Sequence, residues 1–188
     1  MTVAVSVVAM GESNSSQAHG DAQTLLDLPN AQSSVQKTDG FFQFYIQAGQ
    51  YATPSLGLPY QRATTASAAF GAIPVAYTKI APTDNFSIVA GKLPTLIGAE
   101  YTYSFQNINI ARGLLWNQEP AISRGVQANY ILGPVTFSLS LNDGAYTNKY
   151  NQLSGLLAYA VSSTDTISAV GSGVLGTVSN PLAPVVSQ

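Results

Sequence analysis

Lys92, Glu100, Arg112, Glu119 and Arg124 gather in and beside one long stretch, residues 94–123, of a chain in which only 9% of residues are charged. Trp116 lies among them. Their spacing makes no proton relay, so the chemistry open to them is electrostatic. In a wide barrel, a long loop can fold inward, and charges facing one another across water then bias which ions pass. These five are therefore the candidate lumen or constriction charges. Ordinary loop solvation or a structural ion pair would also account for any one of them.

Other residues that could do chemistry lack the company they need. Gly171-Ser172-Gly173-Val174-Leu175-Gly176 matches G-x-G-x-x-G, but Thr177-Val178-Ser179-Asn180-Pro181 follows where a helix and an acidic residue should come. His19 is the sole histidine and has no metal-spaced partner. Asn14-Ser15-Ser16 and Asn85-Phe86-Ser87 match a glycosylation triplet that is common by chance. No Ser/His/Asp order, paired-carboxylate spacing or phosphate loop is present, so the expectation is no enzyme, no cofactor and no metal.

The elements that must position these residues have a rhythm. Tight turns stand at Thr38-Asp39-Gly40, Pro82-Thr83-Asp84-Asn85, Leu132-Gly133-Pro134 and Ser162-Ser163-Thr164-Asp165. Between them run connections of about 22, 30 and 11 residues, against roughly 2–5 for a hairpin loop. Short turns on one side and long loops on the other are the layout of transmembrane β-barrels.

The segments between turns alternate with period two. Phe42, Phe44, Ile46 and Ala48 interleave with Gln43, Tyr45 and Gln47; Val135, Phe137, Leu139 and Leu141 interleave with Thr136, Ser138, Ser140 and Asn142. Successive side chains of a strand point to opposite faces, so each segment has one apolar and one polar face. Looser alternation marks Ile73–Tyr77, Phe86–Ala90, Val126–Tyr130 and Leu157–Val161, with a weak first segment at 31–37 and a last at 166–173. The expectation is an all-β, antiparallel up-and-down transmembrane β-barrel of about eight strands in four hairpins, each near the length that crosses a bilayer.

Phe42, Tyr77, Phe86, Tyr130 and Tyr159 lie near the tight turns and read as apolar-face residues, the candidate aromatic girdle at headgroup level. Aromatics also simply favour strands. Lys79 reads as outward-facing at a turn, where its stem can snorkel to water.

Composition agrees with one face in lipid. The chain has 188 residues, enough for one domain, with a net charge of −2 and no cysteine. Mean hydropathy is only +0.15, and no run of 18 apolar residues exists to make a transmembrane helix. A surface for nucleic acid would need clustered Lys and Arg, so none is expected. A soluble β-sandwich with an unusually neutral surface is the alternative.

Residues 1–30 read as an N-terminal segment outside the barrel. Met1–Met10 fits a shortened secretory signal, an added start or an extra strand, and no Lys or Arg precedes its apolar stretch. The barrel reads as 31–175, and 176–188 as a Pro-containing tail unsuited to a membrane strand.

The stretches FYIQAGQYATPSLGLPY (44–60), GKLPTLIGAEYTYSF (91–105), GLLWNQEPAISRGVQANY (113–130) and LNDGAYTNKYN (141–151) resemble the OmpL-like β-barrel porin family of Gram-negative outer membranes. The likeness covers roughly residues 31 to 175. It implies an outer-membrane channel for passive diffusion of small hydrophilic solutes, with the bilayer and the solutes or ions as partners. Family members are about twice as long, which implies that this chain is the N-terminal half of a porin or a truncated product. Completion would then come from the missing remainder of the barrel or from self-assembly. The resemblance assigns no pore residues. Eight strands closing alone would fill their interior with side chains, so a non-conducting barrel serving as anchor or adhesion surface is the second expectation. A soluble extracellular all-β binding module is the third.

Overall fold

The computed structural model describes residues 1–11, 13, 23–143 and 146–176. His19, the Asn14-Ser15-Ser16 triplet and the tail from Thr177 lie outside the described residues. Nine strands form one antiparallel sheet whose hydrogen-bonded neighbours follow chain order. They are β1 (Thr2–Gly11), β2 (Thr24–Lys37), β3 (Phe42–Tyr51), β4 (Val75–Thr83), β5 (Phe86–Pro94), β6 (Ile122–Leu132), β7 (Val135–Asp143), β8 (Gln152–Ala160) and β9 (Thr166–Val174). Among the described residues one α-helix, α1 (Ala63–Phe70), lies between β3 and β4, and two short 3-10 turns lie between β5 and β6. Among the described residues no helix is long and apolar enough to cross a membrane, which says nothing of strands.

All four tight turns join the strand pairs expected of them. The difference lies at the N-terminus. Residues 2–11 form an additional strand, and β2 runs unbroken through residue 30, where the sequence suggested a boundary. Val3, Val5 and Val7 supply one face of β1, which is why the segment pairs rather than standing apart.

Contacts divide the chain into two compact units. The first comprises Met1–Val35, Gln47–Pro74 and Glu100–Asn117; the second comprises Gln36–Ile46, Val75–Ala99 and Gln118–Gln188.

In the second unit the register writes the sidedness out. Phe86, Tyr130, Phe137 and Leu157 form one cross-strand row, and Ile88, Ala128 and Leu139 form the next on that face. Val89, Gln127, Ser140 and Ser154 form a row on the opposite face. Leu139 is 58% exposed while its neighbour Ser140 is 2% exposed. Burial is thus the reverse of a water-soluble domain: polar side chains lie inside and a contiguous apolar face lies outside.

Several of the buried polar groups pair with one another. Gln127 Nε2 and Ser138 Oγ both donate to Asn129 Oδ1 at 2.7 Å. Asn142 donates to Ser140 Oγ at 3.2 Å and to Ser154 Oγ at 3.4 Å. Such pairing removes the penalty that unpartnered buried amides would carry.

The first unit repeats the pattern. Val3, Val5, Val7, Leu26 and Leu28 are exposed, and Asn30, Gln32 and Gln47 are buried. A chain of hydrogen bonds runs from Gln47 to Gln32 (2.6 Å), Gln32 to Asn30 (3.0 Å) and Asn30 to Ser6 (2.9 Å). The β1–β2 register slips by one between Ser6↔Asn30 and Val8↔Asp27, leaving Leu28 and Pro29 opposite Val7. This is a β-bulge, a position where a proline without an N–H is tolerated.

Candidate functional site

The long connections carry most of the sequence-predicted charges, and local chemistry explains where each one sits. In the first unit, Arg112 is fully buried. Its guanidinium donates to the carbonyls of Pro54 (3.1 Å), Ile110 (3.1 Å), Tyr101 (3.2 Å) and Thr102, and to Ser104 Oγ (3.4 Å). Trp116 lies 5.7 Å beneath it. The planar fork of donors suits this task, since it can reach several carbonyls at once. Burial lowers its pKa to about 10, while nearby Glu100 raises it, so it stays charged at neutral pH.

The backbone around Arg112 is stapled as well. Arg112 N donates to Pro54 O at 2.9 Å, and Leu56 N donates to Arg112 O at 2.8 Å. Glu100 accepts the Gly113 N–H with both carboxylate oxygens, at 3.0 and 2.9 Å. Tyr51 and Tyr103 pack edge to face at 5.4 Å. Two connections, 52–74 and 100–117, therefore share one small core built around a buried cation. Arg112 and Glu100 come together there, and Arg112 organises loop backbone rather than facing water.

The connection 52–74 also reaches the strands. Its helix α1 is rich in alanine, a good helix former, and ends at Gly71, whose φ of 79° suits a left-handed terminus. Ahead of α1, Tyr60 donates to Asp27 Oδ2 at 2.9 Å, and Arg62 lies 3.5 Å from Asp27 Oδ1. Burial and the Asp27 carboxylate raise the Tyr60 pKa above the ordinary phenol range. These three residues carried no motif in the sequence. The only trace was Pro29 inside a strand-like run, which signals an edge or a bulge.

In the second unit, Lys92, Arg124 and Asp143 are cross-strand neighbours of one row, β5 to β7. They share the face of Ala90, Val126 and Leu141, one step beyond that apolar row at the end from which the long connections leave. Arg124 donates to Asp143 Oδ2 at 2.6 Å and lies 4.5 Å over the Tyr146 ring. Asp143 also accepts the N–H groups of Thr147 (2.8 Å) and Asn148 (2.7 Å). Burial pushes the Tyr146 phenol up to about 12. Glu119 lies against the backbone of Gly98, where an added Cβ would meet its Oε1 at 2.1 Å.

The candidate girdle divides. Phe86 and Tyr130 are direct cross-strand partners on the apolar face, with Phe137 beside Tyr130. Phe42 is 52% exposed and Tyr159 is 50% exposed, each near the end of its strand at a tight turn. Tyr77 is the correction. It pairs with Gly91, in the row alternate to the apolar one, and stacks on Tyr45 at 5.5 Å. Lys79 pairs with Val89 and so shares that polar-side face instead of pointing outward. The reason is local: Val75-Ala76-Tyr77-Thr78-Lys79-Ile80-Ala81 carries apolar residues at both parities, so period two does not choose a face.

The whole arrangement on the apolar face of the second unit is therefore graded. Aromatics stand at the tight-turn end, aliphatics in the middle, and a charged row at the long-connection end. Comparison with known proteins follows the same line. The sequence model described as "Putative beta-barrel porin-2, OmpL-like" matches residues 8–186. No curated protein matches the chain.

Proposed function

Because the chain belongs to the OmpL-like β-barrel porin family, we propose that it lines an outer-membrane pore through which small hydrophilic solutes diffuse passively. One observation carries this reading: the sheet buries serine, asparagine and glutamine and exposes leucine, valine and phenylalanine. A lipid environment makes such a face favourable, and a polar opposite face suits water and solutes. The aromatics at the tight-turn end of the apolar face support it, since such rings gather at a membrane interface.

The outer membrane is the location this reading gives, and the bilayer and its solutes are the partners. β1 and β9 each have one neighbour in the strand order. An unpaired backbone edge in lipid costs several kcal/mol per group, so each edge calls for a partner strand. The remainder of a larger barrel, or a second copy, would supply it.

A second reading is a narrow, non-conducting barrel that anchors its long loops. The mutual hydrogen bonding of Asn129, Ser138, Gln127, Asn142 and Ser154 favours it, because side chains that satisfy one another leave less room for water. Planar-bilayer recording separates the two. Stepwise conductance from the refolded protein supports the pore; a heat-modifiable, folded protein without conductance supports the anchor. Solubility as a monomer without detergent would remove both.

A further inference from the structure

The cationic row of the second unit lies on the apolar face, not on the polar wall. In strand order it reads Ala76, Lys92, Arg124 and Asp143, each paired with the next. The next row toward the tight turns is Ala90, Val126 and Leu141, all exposed. One step the other way on the same face, Ile122 is fully buried. The row therefore marks the line where open apolar wall stops and covered wall begins.

Charge along this line does not cancel. Asp143 is buried, and its carboxylate accepts Arg124 Nη2 at 2.6 Å, the Thr147 and Asn148 N–H groups, and the Thr147 hydroxyl at 3.3 Å. It stands on the far side of Arg124 from Lys92, so it offsets one cation and not the second. The Arg124 side chain is 29% exposed, and among the described residues Nη2 makes its one hydrogen bond, out of five N–H donors that a guanidinium carries. Like charges directly opposite each other on neighbouring strands repel. An anion shared by Lys92 and Arg124 turns that repulsion into two attractions. Ala76, on the other flank of Lys92, contributes only a methyl group. Lys149 and Tyr150, both exposed, follow on the connection that Asp143 fastens, adding a cation and a ring of the kind enriched at membrane interfaces.

We propose that Lys92 and Arg124 together bind the phosphate group of a membrane lipid, whose acyl chains lie along the row of Ala90, Val126 and Leu141. The planar fork of Arg124 supplies paired donors to phosphate oxygens, and Lys92 supplies a point charge on a flexible stem. Two of the charges that the sequence suggests for a constriction thus serve lipid rather than an ion path. This inference rests on the membrane reading above and not on conduction, since a non-conducting barrel has the same outer face.

The test uses the full chain refolded in a non-ionic detergent, with phosphatidic acid as the probe and diacylglycerol, which lacks the phosphate, as the control. Native mass spectrometry measures retained lipid. Wild type should hold phosphatidic acid about tenfold more tightly than diacylglycerol, the scale of one charge-assisted contact. Lys92→Gln should remove most of that preference, and Lys92→Arg should restore it. Phosphatidic acid with a photoreactive group near its glycerol should cross-link to β5, β6 and the 144–150 connection. This measurement on wild type decides the matter if Lys92→Gln fails to fold. Equal retention of the two lipids, an unchanged preference in folded Lys92→Gln, or cross-links spread evenly over the strands overturns the site. Displacement of the lipid by inorganic phosphate at equal concentration shows that the pair takes a free anion, and overturns the lipid assignment. A chain that stays monomeric and soluble without detergent overturns the membrane reading and the site with it.

Discussion

Arg124 Nη2 stands 2.6 Å from Asp143 Oδ2, on a carboxylate whose side chain is 1% exposed. The pair fastens the end of β7 to β6, and the same carboxylate collects the N–H groups of Thr147 and Asn148. It also holds a strained loop, since Tyr146 has φ 55° and Asn148 φ 61°, conformations uncommon for residues other than glycine. Arg124→Ala leaves a buried carboxylate facing only the two backbone N–H groups and the Thr147 hydroxyl, which donates at 3.3 Å. The expected loss is about 3–5 kcal/mol by analogy with broken buried pairs. Urea titration of the refolded protein in detergent, followed by tryptophan fluorescence, measures it; a loss under about 1 kcal/mol would mean the pair acts like a surface one.

Arg112 serves carbonyls rather than an acid, which yields a different expectation. Arg112→Lys keeps the charge but loses the planar fork, so several buried carbonyls lose their donor at about 1–3 kcal/mol each. Limited proteolysis should then cut within 100–117 in the lysine variant and not in the wild type. Cleavage should leave the heat-modifiable gel band of the strands in place. Equal protease resistance in both proteins would deny Arg112 its stapling role.

Leu139 and Ser140 are sequence neighbours with opposite environments, 58% and 2% exposed. Leu139→Arg on the apolar face should cost about 2–4 kcal/mol near the bilayer midplane. Ser140→Ala removes a hydroxyl that accepts from Asn142 at 3.2 Å, costing about 1 kcal/mol. Refolding yield into liposomes ranks the two, and the reverse order would argue that Leu139 faces water.

Gly91 has φ 141°, and an added Cβ would lie 2.2 Å from the Ala76 carbonyl oxygen on β4. Gly91→Ala should therefore force β4 and β5 apart, weakening the stack of Tyr77 on Tyr45. Near-ultraviolet circular dichroism reports the aromatic pair. An unchanged tyrosine signal would show that the strands absorb the methyl without moving.

Asp165 closes the turn between β8 and β9, accepting from Ser162 Oγ at 2.6 Å and Thr164 Oγ1 at 3.0 Å. These hydroxyl donors hold its carboxyl below the ordinary carboxylate value of 3.8. A carboxylate whose folded pKa is depressed adds stability above its unfolded pKa and loses it as pH falls through the folded one. Hydrogen exchange at the Val161 amide, which donates to Asp165 O at 2.9 Å, should quicken as pH falls below about 4, after correction for intrinsic rates. Asp165→Asn should abolish that dependence; if it persists, another group controls the turn.

The elements legible in the sequence were those whose signal is local. The four tight turns and the alternation of Phe42–Ala48 and Val135–Asn142 each stand within a few residues, and the strands follow. The sidedness of β4 was not legible, because Val75 to Ala81 is apolar at both parities and only its pairing with β5 sets the face of Tyr77 and Lys79. The charged residues of 94–123 were legible as a group but not in role. Whether Arg112 faces water or carbonyls depends on Pro54, nearly sixty positions away. Asp27 escaped notice for a similar reason: its face depends on a bulge, and its partners lie 33 and 35 residues on.

The strict alternation on β7 bears on the life of the chain before it folds. In Val135-Thr136-Phe137-Ser138-Leu139-Ser140-Leu141-Asn142 no two apolar side chains are adjacent. An extended, unpaired copy of this segment presents grease at every second position on a strand that has not yet chosen neighbours. Its oily surface comes into being only when β6, β7 and β8 register and their apolar positions align into rows. On the pore reading, the affinity of this segment for lipid is therefore latent until pairing brings its rows into register.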